Sequence, residues 1–306
     1  MIAQRQRAAH SSRLSMRTRS TITGYLFIMP IVLGFLIWVA GPMLIAIGLS
    51  FTSWDMLRKP EFVGFQNYAQ MFKDELFWKS LQATFYFTLV SVPLSLIISF
   101  AVAMLMNVQV RGIAFFRMLY YIPSIVPSVA NAVLWVWVFN SEFGLLNAGL
   151  SWLGLPKVLW LQDPRWAMPA LILMSLWAVG GSMVIYLAGL QGIPQHLYEA
   201  AEIDGAGYWS RFFNVTIPMM SPVIFFNLVM GLIGALQTFT QGYLMTKGGP
   251  QNSTLFYGLH IYQSAFRDFK MGYAAALSWV LFTIVLLLSL FVFRSLGSKV
   301  YYEEPR

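Results

Sequence analysis

Six stretches of the chain are apolar along their whole length, and the polar residues fall between them rather than alternating within them. Crossing a hydrocarbon layer takes about 20 apolar residues in a helix rising ~1.5 Å per residue. Residues 25–51, 81–106, 118–139, 166–187, 218–241 and 272–293 all reach that length. None of the six contains Asp, Glu, Lys, Arg or His. A charge at a span's centre costs about 2.5–3.5 kcal/mol on insertion scales, against about −0.3 to −0.6 for each Leu, Ile, Val or Phe. The pattern therefore predicts an all-α polytopic membrane protein with six transmembrane helices. It divides into a tail at 1–24, a membrane domain at 25–294 and a second tail at 295–306.

Composition agrees with the pattern: 58% of residues are hydrophobic, 10% are charged, and the mean hydropathy is +0.64. A soluble domain carries about 25% charged residues. The chain has no cysteine, which excludes disulfides and thiolate chemistry, and His10, His196 and His260 are too scattered for a local metal site. The net charge of +8 fits basic residues flanking spans in a lipid bilayer better than it fits a nucleic-acid partner. Arg5, Arg7, Arg13, Arg17 and Arg19 stand in the first tail without an acid, which places that tail, and after six spans the other one, in the cytoplasm. In this topology 11 Lys/Arg lie inside and 9 outside, so orientation rests on the first tail. Pro30, Pro42, Pro93, Pro123, Pro127, Pro169, Pro218 and Pro222 lie in or at the ends of spans. They read either as helix-end geometry or as hinges.

The stretch 188–217, between the fourth and fifth spans, is too long for a turn. Pro194 suits a first helical turn. Leu197, Ala200 and Ala201 follow at helical spacing, with Glu199 and Glu202 on an adjoining face, and Asp204-Gly205 signals a turn. A second short amphipathic helix with Trp209, Phe212 and Phe213 comes next, before Pro218 opens the fifth span. Glu199, Glu202 and Asp204 form an acidic cluster beside alanines that permit close approach. It reads as a knob for a soluble partner or as a helix resting at the headgroups.

The run YEAAEIDGAGYWSRFFNVTIP resembles the EAA loop of ATP-binding-cassette (ABC) importer permeases: Glu199, Ala200, Ala201, Gly205 and Ile217 match, and Pro218 follows. The Asp204-Gly205-Ala206 version is similar to the carbohydrate branch of maltose- and glycerol-phosphate-type systems. Three more segments resemble that branch: FVGFQNYAQMFKDELFWKSLQATFYFT, IPSIVPSVANAVLWVWVFNSEFGLLNAGLSWLG and TKGGPQNSTLFYGLHIYQSAF. The resemblance implies a type I importer permease in a bacterial inner membrane, working on a sugar-like solute. Its partners would be a second, different permease subunit, two ATPase subunits and an extracytoplasmic solute-binding protein. Glu199, Ala200, Ala201, Asp204 and Gly205 would couple it to the ATPase. The chain has no Gly-x-x-x-x-Gly-Lys-Ser/Thr loop, so ATP hydrolysis falls to a partner, and no cofactor is expected.

Asn131, Trp135, Asn227 and Gln237 are polar or indole groups on the third and fifth spans, which in that family help line the solute path. The plainer role is interhelical hydrogen bonding, worth about 0.6–2 kcal/mol. Gly231 and Ala235, four apart, suit close helix packing. Gly248-Gly249 reads as a turn; Asn252 or Ser253 then caps a short helix with Leu255, Leu259, Tyr262 and Phe266 on one face, packed on the bundle or touching the binding protein. A proton-coupled secondary transporter is the rival reading. It calls for ionisable residues inside spans, and the spans have none. No charged ring suggests a channel, and no nucleophile–base pair suggests an enzyme.

Overall fold

The computed structural model describes residues 16–297. Arg5, Arg7, Arg13, His10 and residues 298–306 lie outside the described residues, as do the side chains of Arg17 and Arg19. Four helices are long and apolar enough to cross a membrane: α1 (Ser20–Ser50), α3 (Glu75–Met106), α10 (Tyr208–Leu236) and α12 (Met271–Leu296). Two bent pairs bring the number of crossings to six: α4 with α5 (Ile113–Ile125, Ser128–Val138) and α7 with α8 (Pro164–Trp177, Gly180–Gln191). The short helices are α2 (Gln66–Lys73), α6 (Leu145–Trp152), α9 (Gln195–Ile203) and α11 (Tyr257–Tyr262). A two-residue ladder pairs β1 (Thr52–Ser53) with β2 (Glu61–Phe62) after α1.

The third and fourth expected spans, 118–139 and 166–187, are therefore not single rods. The first bends by 99° and the second by 46°. Pro127 follows the first bend, in agreement with its missing N–H and its restriction of the preceding residue. The second falls at Ala178-Val179, where no proline stands. Pro30, Pro93, Pro123, Pro169 and Pro222 sit inside helices that continue past them.

α3 is the hub, packed on α7, α8, α10 and α11. Its interior hydroxyls turn back on its own carbonyls: Thr84 Oγ1 donates to Ser80 O and Thr88 Oγ1 to Thr84 O, each at 2.8 Å. They thus ask nothing of the surrounding lipid. Charged side chains finish the helix ends. Asp74 accepts from Leu76 N at 2.9 Å, capping the start of α3, and Arg117 donates to Met106 O at 2.8 Å at its other end. α8 crosses α4 closely at Gly180, where a Cβ would strike the Tyr120 carbonyl. α10 lies on α3 at Gly231, whose missing Cβ would meet Val92 at 3.3 Å, and at buried Ala235, as the small-residue spacing implied.

At the far end from α9, α11 is pinned to the bundle. Tyr257 N donates to Thr84 Oγ1 of α3 at 2.8 Å, and Tyr257 OH donates to Leu277 O of α12 at 3.1 Å. The helix begins at Tyr257 with Phe256 as its cap residue. Asn252 and Ser253 are not its caps: both lie in the preceding turn, where Asn252 is left-handed. His260 is only 4% exposed, and its Nε2 lies 3.6 Å from Asp74 Oδ2. Burial holds the imidazole's pKa below 6.5; Asp74 and Asp268 pull it up, and Arg267 lowers it further. A group that binds its proton less tightly when docked leaves the docked helix fully stabilised above pH 6.5, and that stability fades as the pH falls below it. Lowering the pH below 6.5 should therefore speed amide exchange over residues 257–266, after correction for intrinsic rates. His260→Gln should abolish that acid acceleration.

Candidate translocation path and coupling elbow

Three interruptions of helix meet at one place. A cavity of about 310 Å³ is lined by Ser128 and Asn131 just after the α4–α5 bend, by Met174, Ser175 and Ala178 at the α7–α8 bend, and by residues 237–241 just past the end of α10. Backbone that leaves its helix at membrane depth is tolerated only where protein seals it or a cavity receives it. A second cavity, of about 570 Å³, adjoins the first through shared Ser175, Thr238 and Gln241. Ser91 and Ser95 of α3, Ser182 of α8 and Asn227 of α10 also line it. Neither lining contains a charged side chain. The walls are mostly apolar, from Val92, Leu96, Ile185, Met230 and the rings of Phe87, Phe226 and Phe239, with hydroxyls and amides set among them. The volumes fall in the range of about 300–1,000 Å³ usual for small-molecule sites.

The sequence-derived candidates divide. Asn131 and Gln237 share the smaller cavity, and Asn227 lines the larger one, with its Nδ2 donating to Val223 O at 2.9 Å. Trp135 lines neither. It is buried in the core, with ring centroids 5.0 Å from Phe139 and 5.5 Å from Trp177. Ser175, Thr238 and Gln241, common to both cavities, escaped the sequence reading. Lone hydroxyls in an apolar run carry no signal, and Gln241 stood at the expected edge of a span.

At the opposite end, α9 starts after Pro194 and ends in a Schellman motif. Gly205 takes φ +77°, Gly205 N donates to Glu202 O at 3.0 Å, and Ala206 N donates to Ala201 O at 2.8 Å. Glu199, Ala200, Asp204 and Gly205 are exposed and Ala201 is half-buried. A Cβ on Gly205 would meet nothing within 4 Å, so the demand for glycine is conformational, not steric. The expected separate helix around Trp209 is instead the first part of α10. A π turn at Phe212–Thr216 carries the helix through Ile217 and Pro218 without a stop. Pro218 thus lies inside a helix already under way, directly after the π turn, and does not open the span.

A charge-free cavity, mostly apolar with a few hydroxyls and amides, inside a six-crossing bundle joined by one uninterrupted helix to an exposed elbow, fits a membrane transport subunit. Residues 91–297 match the family of binding-protein-dependent transport system inner membrane components, and the chain belongs to that family. It is 44% identical to the probable ABC transporter permease protein YesP of Bacillus subtilis over 291 residues, 94% of each chain. It is 36% identical to the lactose transport system permease protein LacF of Rhizobium radiobacter, covering 93% of this chain and 97% of that one. A bacterial alginate ABC transporter, solved in complex with an alginate pentasaccharide-bound periplasmic protein, contains a chain superposing with a TM-score of 0.79 at 25% identity, over 92% of this chain and 96% of that one. The protein is thus the multi-pass inner-membrane permease subunit of an ABC importer, and the secondary-transporter reading is not favoured.

Thr238→Val keeps the shape of a side chain common to both cavities and removes its hydroxyl. Losing one neutral hydrogen bond is worth about 0.5–1.5 kcal/mol. Uptake by the assembled transporter in proteoliposomes should fall about two- to tenfold, with subunit assembly unchanged.

Proposed function

We propose that this chain forms half of the path for a sugar or sugar-like solute, which a separate ATPase drives into the cytoplasm. The observation that carries the substrate class is the absence of charge from both cavities, whose hydroxyls, amides and rings suit an uncharged polyol face. The lactose permease's name supports the same class; alginate, an acidic polysaccharide, supports a sugar but not the lack of charge. Asn131, Asn227 and Gln237 are the proposed solute-facing residues, with Ser175, Thr238 and Gln241 beside them; Trp135 would brace the wall behind them.

In this reading α9 faces the cytoplasm, both termini lie there, and 188–217 is the coupling loop within a membrane domain at 25–294, between tails at 1–24 and 295–306. Two ATPase subunits bind beneath a heteromeric pair of permeases, and a binding protein delivers solute from outside. Glu199, Ala200, Ala201, Asp204 and Gly205 seat α9 in a cleft of the ATPase. Closure of the ATPase pair then moves the bundle between inward- and outward-facing packings.

Glu199→Ala with Asp204→Ala should abolish co-purification of the ATPase, while the permease pair stays intact. Gly205→Val forces a β-branched residue into left-handed backbone, at a cost of roughly 1–2 kcal/mol, and should uncouple ATP hydrolysis from uptake. Solute uptake by the purified chain alone in liposomes, with no nucleotide-hydrolysing companion, would refute the proposal.

A further inference from the structure

The turn between α9 and α10 contains Gly205 and Gly207, the residue type least able to hold a fixed angle. A lever joined to its shaft through two glycines would swing. Two side-chain ties cross this turn. Glu202 near the end of α9 pairs with Arg211 near the start of α10. One turn further from the bend on each helix, Tyr198 OH and Thr216 Oγ1 share a hydrogen bond of 3.0 Å, with Thr216 buried.

The spacings on the two sides differ. Tyr198 and Glu202 are four apart, which places them on one face of an α-helix. Arg211 and Thr216 are five apart, and in an α-helix they would sit about 140° away from each other. The π turn at Phe212–Thr216, closed by Ile217 N donating to Phe212 O, widens the helix by one residue there. It turns Arg211 and Thr216 onto the same side. The extra residue aligns both ties at once. Phe212, inside this turn, also meets Phe100 of α3 at 6.2 Å, and Phe100 meets Tyr186 of α8 at 5.2 Å. The elbow is thereby seated on the bundle's hub.

The geometry points to Tyr198, Glu202, Arg211 and Thr216 as positioning residues that lash the coupling helix to α10, so that displacement of α9 moves the helix lining the solute path instead of flexing the glycine turn. This rests on the reading of α9 as the element that docks on the ATPase. The ties act in transmission and not in docking. They make α9 and the base of α10 one rigid piece, and the unbroken run to Leu236 carries its motion to Asn227 and to the start of the stretch that holds Thr238.

The test uses the complete transporter, with its ATPases and binding protein, in proteoliposomes. Tyr198→Phe, Thr216→Val, Glu202→Arg and Arg211→Glu should each retain bound ATPase and lower the solute moved per ATP hydrolysed by about threefold or more. Glu202→Arg combined with Arg211→Glu should restore most of that ratio, which a merely destabilised loop would not do. A wild-type ratio in the four single variants overturns the proposal. So does a double variant no better than its singles, and so does loss of the ATPase from the single variants, which would make these residues docking groups. Glu199→Ala serves as the docking control. If the ATPase stays bound there and in the Glu199→Ala/Asp204→Ala pair, the docking reading fails, while the ratio in the tie variants still decides the role of the ties.

Discussion

The backbone of a chain in lipid must satisfy its own hydrogen bonds, because the hydrocarbon offers none. Most of this architecture follows from that one requirement. α1, α3, α10 and α12 meet it by running unbroken across the layer. The two bent pairs and the stretch after α10 do not, and all three breaks are gathered around the same small cavity. The place where the helices fail is thus the place where polar atoms collect. Ser128, Ala178 and Gln237 are neighbours there because the freed backbone around them has nowhere else to go.

Charge is handled by the same rule from the other direction. Asp74, Arg117 and Asp163 stand at helix ends, each bonded to a backbone group that the helix leaves unpaired. The ends are where water or headgroups share the burden, so an ion there is inexpensive. Between those ends the walls use hydroxyls and amides. Cavities lined this way offer a charged group no counter-ion and a polyhydroxylated one a few weak partners.

The sequence made the apolar crossings and the exposed helix and turn at 199–205 plain, because length without charge and the Glu199-Ala200-Ala201 run with Asp204-Gly205 are strong signals. It misled where a residue's local meaning depends on neighbours. Pro218 looked like the start of a span, yet a helix already under way passes through it. The bend at Ala178-Val179 has no proline to announce it; the only nearby hint was Gly180, whose role is to let α8 approach the Tyr120 carbonyl. Trp135 read as a solute-facing indole, and the bundle uses it as an aromatic brace. Ser175 and Thr238 were invisible as site residues, since a single hydroxyl barely alters the hydropathy of a span.

Exposure has opposite meanings in the two solvents this chain meets. The most apolar stretch of α1 has no buried residue, although the helix's last turns pack on α12; lipid tails are as apolar as leucine, so the bare part needs no protein partner. Ile203, at the end of α9, is 87% exposed beside Glu202 and Asp204. Nothing within the chain covers it, and apolar area left to water carries a cost that scales with that area. In a membrane protein, a bare isoleucine flanked by acids therefore says more than a long bare stretch of apolar helix.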